Sequence, residues 1–184
     1  NNIMKRILLL LAIVGMTALQ GCSNDDDRVD NDTIAEVFEI NQNTNFNSLN
    51  NYRISYTLNP PIYNTDMILI YRLDGQDAGQ DVWVPLPKTY YFNGGDELDY
   101  SFDFSTREIF IYLGFTNSAV LLPEFTQNQV FRVVIIPGFL SNKPANSSGK
   151  GIATPASVDY NDYYAVMRAY GLNDSNIKTL KPSK

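Results

Sequence analysis

Residues 52–58, Tyr52-Arg53-Ile54-Ser55-Tyr56-Thr57-Leu58, alternate apolar and polar side chains without a fault. The stretch Leu98-Asp99-Tyr100-Ser101-Phe102-Asp103-Phe104 repeats the pattern. Successive side chains of a β-strand point to opposite faces of its sheet, so a period of two predicts a strand with one buried and one solvated face. Both segments are therefore predicted to be strands of an antiparallel sheet that covers a core with one face.

Other segments provide the partners that such strands need. Residues 67–73, 109–115 and 130–136 are nearly continuous apolar runs, rich in β-branched and aromatic residues. Their length and composition favour central strands over helices. Weaker strands are predicted at residues 35–40, 82–86 and 89–92, and residues 177–180 are an edge strand or a turn.

Turn-forming residues separate these predicted strands. Asn93-Gly94-Gly95-Asp96 supplies residues that tolerate positive φ and is predicted to close a hairpin between Tyr91 and Leu98. Asn59-Pro60-Pro61 ends the strand before it, because proline cannot donate to a strand ladder. Residues 74–80 are predicted to be a polar loop, since their aspartates do not have the spacing of a calcium loop.

One segment near the C-terminus has a helical pattern. Residues 162–170 place Tyr163, Met167 and Tyr170 on one stripe, with Asp159 or Asn161 as the predicted cap and Gly171 after the end. Residues 141–157 are small and polar and are predicted to be a loop. The predicted fold is all-β: an antiparallel β-sandwich, immunoglobulin-like or similar, of about eight strands with one short C-terminal α-helix. It occupies residues 33–184 as a single domain.

The N-terminal residues are typical of an export leader. Lys5 and Arg6 precede an apolar run, residues 7–19, that is too short to span a bilayer as a helix. The run ends in Leu19-Gln20-Gly21-Cys22, which resembles the lipobox read by the lipoprotein signal peptidase. We therefore expect residues 1–21 to be removed and Cys22 to carry lipid, which anchors the chain to a membrane.

A polar, acidic segment, residues 22–32, follows the leader and is predicted to be a flexible tether, because it cannot bury apolar surface. Asp25, Asp26 and Asp27 resemble a signal that sends lipoproteins to the cell surface; the alternative is a solvated linker. Asp32-Thr33-Ile34 resembles an O-glycosylation motif centred on Thr33. The predicted location is the outer membrane, at the cell surface or alternatively on the periplasmic face.

Three longer blocks carry a resemblance: residues 66–73, 81–87 and 125–137. Together they resemble a family of small flavobacterial (Bacteroidetes) lipoproteins of unknown function, over nearly all of the mature chain. Relatives sometimes carry the label dihydrolipoamide dehydrogenase. This chain contradicts that label, because it has no redox cysteine pair, no dinucleotide fingerprint and no histidine. The resemblance supplies no catalytic residues.

Composition excludes several kinds of chemistry. The chain has no histidine and Cys22 is its single cysteine, which excludes Ser-His-Asp and Cys-His catalysis and a zinc site built from such ligands. Loss of Lys5 and Arg6 with the leader makes the formal net charge of −6 more negative by two. A domain this acidic has no electrostatic footprint for nucleic acid. No cofactor and no metal site is predicted.

The leading functional prediction is a non-enzymatic structural or interaction module, for example an accessory subunit of an envelope protein complex. A carbohydrate-binding module is one alternative: Trp83 and Tyr90, with Tyr91, lie near one hairpin and would stack on sugar rings if Trp83 were exposed. A carboxylate-based hydrolase using Asp99 and Asp103 is the other. Those two residues share a strand face about 13 Å apart, too far for either hydrolytic geometry.

Overall fold

The strands form where the alternating and apolar runs lie in the sequence. The computed structural model describes residues 35–138, 158–175 and 177–183. Its strands are β1 (Glu36–Ile40), β2 (Arg53–Thr57), β3 (Met67–Asp77), β4 (Gln80–Pro85), β5 (Lys88–Tyr91), β6 (Glu97–Phe104), β7 (Glu108–Phe115), β8 (Phe131–Ile136) and β9 (Lys178–Leu180). Its α-helices are α1 (Pro123–Thr126) and α2 (Tyr163–Ala169).

The strands pair into two sheets. Sheet A has the order β4-β3-β8-β1-β9, and sheet B has the order β2-β7-β6-β5. All neighbours run antiparallel except β9, which lies parallel to β1 at the edge of sheet A. The predicted all-β sandwich with one short C-terminal helix is confirmed, and the segment around residue 179 is an edge strand rather than a turn.

The main core lies between the two sheets. In β2 the alternation holds as predicted, because Ile54 is buried whereas Arg53 and Thr57 are exposed. In β6 it holds for Leu98 and Tyr100, but Phe104 at the strand end is exposed. The largest buried apolar side chains of this core are Ile40, Ile70, Leu98, Tyr100, Ile109, Ile111, Phe131 and Val133.

Helix α2 covers the outer face of sheet A and creates a second core. The predicted stripe of Tyr163, Met167 and Tyr170 is buried there against side chains of β3, β4 and β8. The cap differs from the prediction: Asp162 accepts a hydrogen bond from the Ala165 N–H (3.1 Å), one turn into the helix. Asp159 instead binds the N–H of Asn161, in the turn before the helix.

The segment predicted as a polar loop, residues 74–80, is mostly strand. Strand β3 continues to Asp77 and β4 begins at Gln80, so the turn contains only Ala78 and Gly79, both with positive φ. A β-bulge interrupts the ladder between Leu73 and Gly75. The hairpin is polar because its outer part extends beyond the core, and polarity alone does not distinguish such strands from a loop. The Asn93–Asp96 hairpin turn was predicted correctly, with positive φ at both glycines.

The register defines two ends of the sandwich. Glu36 at the start of β1, Ile135 of β8 and Ile68 of β3 share one row of sheet A, so the chain enters the domain at this end. We call it the tether end; it also holds the β6–β7 turn, since the Ile62 N–H binds the Thr106 carbonyl. The opposite end, called the distal end, holds residues 41–52, 92–96 and 116–130.

Several predicted features lie outside the described residues. They are the leader, the lipobox residues Leu19, Gln20 and Gly21, the lipidation site Cys22, the acidic residues Asp25, Asp26 and Asp27, the glycosylation motif at Thr33 and the loop of residues 141–157. Within the described ranges, no helix has the length and hydropathy needed to cross a membrane.

Candidate functional site

Two loops at the distal end are joined into one surface, which we call the distal cap: residues 41–52 and 116–130. The Phe46 N–H donates to the Thr126 carbonyl (2.8 Å), and the Gln129 N–H donates to the Thr44 carbonyl (2.9 Å). The Asn128 N–H donates to Asn45 Oδ1 (2.8 Å). The two loops therefore keep a fixed relation to one another, although no regular strand pairing connects them.

Asparagines shape the first of these loops. Asn47 and Asn50 form a reciprocal capping box around the 3₁₀ turn Ser48–Asn50, and Asn51 ends the turn in the left-handed region with φ of 51°. Asparagine tolerates this region better than other side chains except glycine. The turn holds Leu49 with 95% of its surface exposed, and the neighbouring loop exposes Leu122 as well. A rigid turn thus presents an apolar side chain to solvent.

Beneath the distal cap lies a group of polar residues around a buried arginine, the inner arginine cluster: Arg72, Asp74, Tyr90, Tyr100 and Gln129. Arg72 is 4% exposed. Its Nε donates to Gln129 Oε1 (2.8 Å), and its Nη1 donates to Asp74 Oδ1 (2.6 Å) and to the Tyr90 hydroxyl (3.0 Å). The guanidinium carbon lies 4.9 Å from the ring centre of Tyr100 and 5.5 Å from that of Tyr90. A cation in this position is stabilised by both rings.

The inner arginine cluster holds the backbone of the distal cap. Arg72 Nη2 donates to the Glu124 carbonyl (2.9 Å), which Gln129 Nε2 also binds (3.0 Å). Gln129 reaches the Gln127 carbonyl too (2.7 Å), and the Tyr100 hydroxyl donates to the Phe125 carbonyl. Burying a charge is costly unless it is fully hydrogen-bonded. Here one bond of the Arg72 guanidinium and the bonds of Gln129 Nε2 and the Tyr100 hydroxyl go to carbonyls of one loop, so the cluster fixes the conformation of that loop.

Tyrosines in the cluster remain protonated near neutral pH. Burial raises the pKa of Tyr100 to about 12, against a partly opposing effect of Arg72. Burial also raises the pKa of Tyr90, and its hydrogen bond to Asp74 raises that pKa further. Both hydroxyls therefore act as hydrogen-bond donors, as the bonds to Phe125 and Asp74 require. Neither side chain is prepared to act as a base.

A second arginine lies between sheet A and helix α2. With its partners it forms the outer arginine cluster: Arg132, Glu39, Trp83, Tyr163 and Asp174. Arg132 Nε donates to Glu39 Oε2 (3.2 Å), and its Nη1 donates to the Tyr163 hydroxyl (2.6 Å) and to Asp174 Oδ1 (3.0 Å). Its guanidinium carbon lies 4.3 Å from the Trp83 ring centre. This cluster joins β1, β4, β8 and the chain that follows α2.

The prediction that Trp83 and Tyr90 form a stacking surface for sugars is wrong. Trp83 is 7% exposed and packs beneath α2 against Tyr163. Tyr90 lies in sheet B and faces the main core, where it contacts Tyr100 and Phe125. The two side chains are on different sheets and share no surface. Alternation in β5 leaves only Tyr91 exposed, as expected for neighbours on opposite strand faces.

The two carboxylates considered for hydrolysis lie on the outer face of sheet B. Asp103 accepts a hydrogen bond from the Tyr112 hydroxyl (2.9 Å). Asp99 lies across Gly114, where any larger side chain would collide with its carboxylate. The residues between 35 and 183 that the structure describes contain no group of three or more potential metal ligands.

Neither arginine cluster was predicted from the sequence. The available signal was a single arginine inside each of two apolar runs, residues 67–73 and 130–136. A charge in a buried strand requires partners, so both positions indicate a polar network, although they do not indicate which residues complete it. Searches of protein-family models, curated proteins and solved structures found nothing that matches this chain. The resemblance to flavobacterial lipoproteins therefore stays a prediction.

Proposed function

We propose that this protein is a lipid-anchored envelope lipoprotein whose β-sandwich is a non-enzymatic interaction module. Cys22 carries the lipid, residues 22–32 form the tether, and the distal cap binds a partner protein in an envelope complex. Asp25, Asp26 and Asp27 direct the domain to the cell surface. With these three residues changed to alanine, the domain is expected to become protected from protease added to intact cells.

One observation carries the proposal: the buried Arg72 and its neighbours hold the distal cap in one conformation through hydrogen bonds to its carbonyls, while its turn exposes Leu49. Loops on a rigid β scaffold are the usual place for binding residues. A fixed conformation lowers the entropy lost on association. Burying one leucine side chain contributes about 1.5–3 kcal/mol, so Leu49 is suited to be an anchor at the centre of an interface.

The chain direction also supports this role. Strand β1 runs from the tether end toward the distal end, from Glu36 opposite Ile135 to Ile40 opposite Phe131. Strand β1 has five residues at about 3.4 Å each, so the point where the tether joins the domain lies roughly 17 Å from the base of the distal cap. An anchored domain can thus hold the cap away from the membrane and toward a partner.

The proposal is tested by photo-crosslinking in living cells of the native organism. A photoreactive amino acid replaces Leu49 in the full-length chain, and a matched variant carries it at Glu108, which is exposed in sheet B outside the distal cap. We expect a discrete crosslinked protein from position 49 that is absent from position 108. Leu122→Asp, also exposed in the distal cap, should reduce that product by about tenfold or more, since burying an unpaired charge opposes binding of a partner to the cap.

Identical products from both positions, or none from position 49, would contradict the proposed binding role of the distal cap. Circular dichroism of each variant provides the control, because a folded β-rich domain is required for either result to count.

A further inference from the structure

Three large apolar side chains are exposed at the tether end. Tyr63 is 59% exposed, Met67 is 53% exposed and Phe104 is 42% exposed. Met67 begins β3 and Phe104 ends β6. The segment that contains Tyr63 connects the β6–β7 turn to the start of β3, through the bond from the Ile62 N–H to the Thr106 carbonyl (2.9 Å). The three side chains therefore belong to the same end of the sandwich.

Tyr63 is held at the tip of a well-defined turn. Its N–H donates to Asp66 Oδ2 (2.8 Å), while the Asp66 N–H donates to the Tyr63 carbonyl (3.1 Å). Pro60 and Pro61 precede the turn and restrict the backbone. The backbone that carries the aromatic ring is thus held in a defined position and does not have to be ordered on binding. Tyrosine is enriched where proteins meet the headgroup region of membranes, because its ring is apolar and its hydroxyl is polar.

The chain joins the domain at this same end. Ala35 precedes β1, and Cys22 lies about 13 residues earlier, a distance that the chain spans with at most about 45 Å. A lipid on Cys22 would therefore keep the domain close to the bilayer, with the tether end nearest to the attachment point. A short tether raises the effective concentration of a weak contact to the millimolar range, so a small apolar surface is sufficient.

We propose that the tether end rests on the lipid surface, with Tyr63 at the headgroups and Met67 and Phe104 beside it. This inference depends on the proposed lipid anchor. Among the residues of this end that the structure describes, the exposed charged groups are mainly acidic: they are Glu36 and Glu108, with Arg107 as the basic one beside them. An anionic lipid surface would repel them, so the surface that fits is a zwitterionic one.

The test uses the mature, acylated lipoprotein in phosphatidylcholine vesicles. Tyr63→Cys provides a single free thiol, because lipid occupies Cys22, and Leu49→Cys is the matched control at the distal cap. Each thiol carries a nitroxide. Flotation measures anchoring, and spin relaxation measures collision of the nitroxide with a water-soluble nickel chelate and with oxygen, which concentrates in lipid.

We expect both proteins to float and the nitroxide at position 63 to be severalfold less accessible to the nickel chelate than that at position 49. Replacing part of the lipid with phosphatidylglycerol should reduce this protection. Floating protein with equal accessibility at the two positions would overturn the lipid contact alone. Protein that does not float would overturn the anchor and this inference with it.

Discussion

Replacement of Arg72 by methionine should destabilise the domain strongly. Methionine fills much of the volume but makes none of the four hydrogen bonds of the guanidinium, which reach Gln129, Asp74, Tyr90 and the Glu124 carbonyl. Removing one partner of a buried ion pair typically costs about 3–5 kcal/mol. Because the Asp74 side chain is 33% exposed and can regain water, we expect the lower end, about 3 kcal/mol.

The assay is urea unfolding of the mature chain with Cys22→Ala, followed by fluorescence of Trp83. Trp83 is the only tryptophan and is buried beneath α2. With a urea dependence of about 2 kcal/mol per molar, a loss of 3 kcal/mol moves the midpoint by about 1.5 M. Arg107→Met, at an exposed position, is the matched control and should stay within about 0.5 kcal/mol of the parent.

A second substitution separates loss of the charge pair from loss of packing. Adding Asp74→Asn to Arg72→Met removes the unpaired charge and keeps an oxygen that accepts the Tyr90 hydroxyl bond, so the double variant should recover part of the lost stability. The assignment of Arg72 as the residue that holds the distal cap would be refuted if Arg72→Met cost less than about 1 kcal/mol, the scale of a single ordinary hydrogen bond.

Three further predictions follow from burial. Tyr56→Asp should lower the free energy of unfolding by several kcal/mol and Thr57→Asp far less, in the same urea assay, because the Tyr56 ring packs on Phe38 across the sheets whereas Thr57 is exposed; the reverse order would mean a shifted register. Thr44→Val should raise the free energy of unfolding by about 1 kcal/mol, because the buried Thr44 Oγ1 makes no hydrogen bond within the described residues; a loss would show that the hydroxyl is satisfied. Stability should fall as pH rises above about 10, the ordinary tyrosine pKa: burial raises the pKa of Tyr100 to about 12, so the folded state keeps a proton that the unfolded state releases. Absorbance at 295 nm should then show that part of the tyrosines ionise only well above about pH 10, together with unfolding. Ionisation of all tyrosines near the ordinary pKa, in a domain that stays folded, would contradict this prediction.

The strands were predictable because their signal is local. Ile54 and Tyr56 alternate with polar neighbours, and this period identifies both a strand and its buried face. The stripe on α2 is local in the same sense. The one-turn helix α1 and the 3₁₀ turns of the distal cap are too short to show a period, so no pattern in the sequence indicates them.

The candidate site was not predictable, because its contacts join distant segments. Arg72 and Gln129 are 57 positions apart in the sequence and meet only when β3 and the loop before β8 come together. Trp83 was misassigned for a related reason. Alternation in β4 shows that its two faces differ but does not show that α2 covers one of them, since the helix comes from a segment about 80 residues later.

The N-terminal peptide of the protein purified from its native membrane provides the most direct test of the proposed function. Mass spectrometry should find a mature chain that begins at Cys22, with the mass of attached acyl chains on that residue, as stable lipid anchoring requires. A chain that retains Leu19, Gln20 and Gly21 before an unmodified Cys22 thiol would contradict the proposed lipid anchor and the function that depends on it.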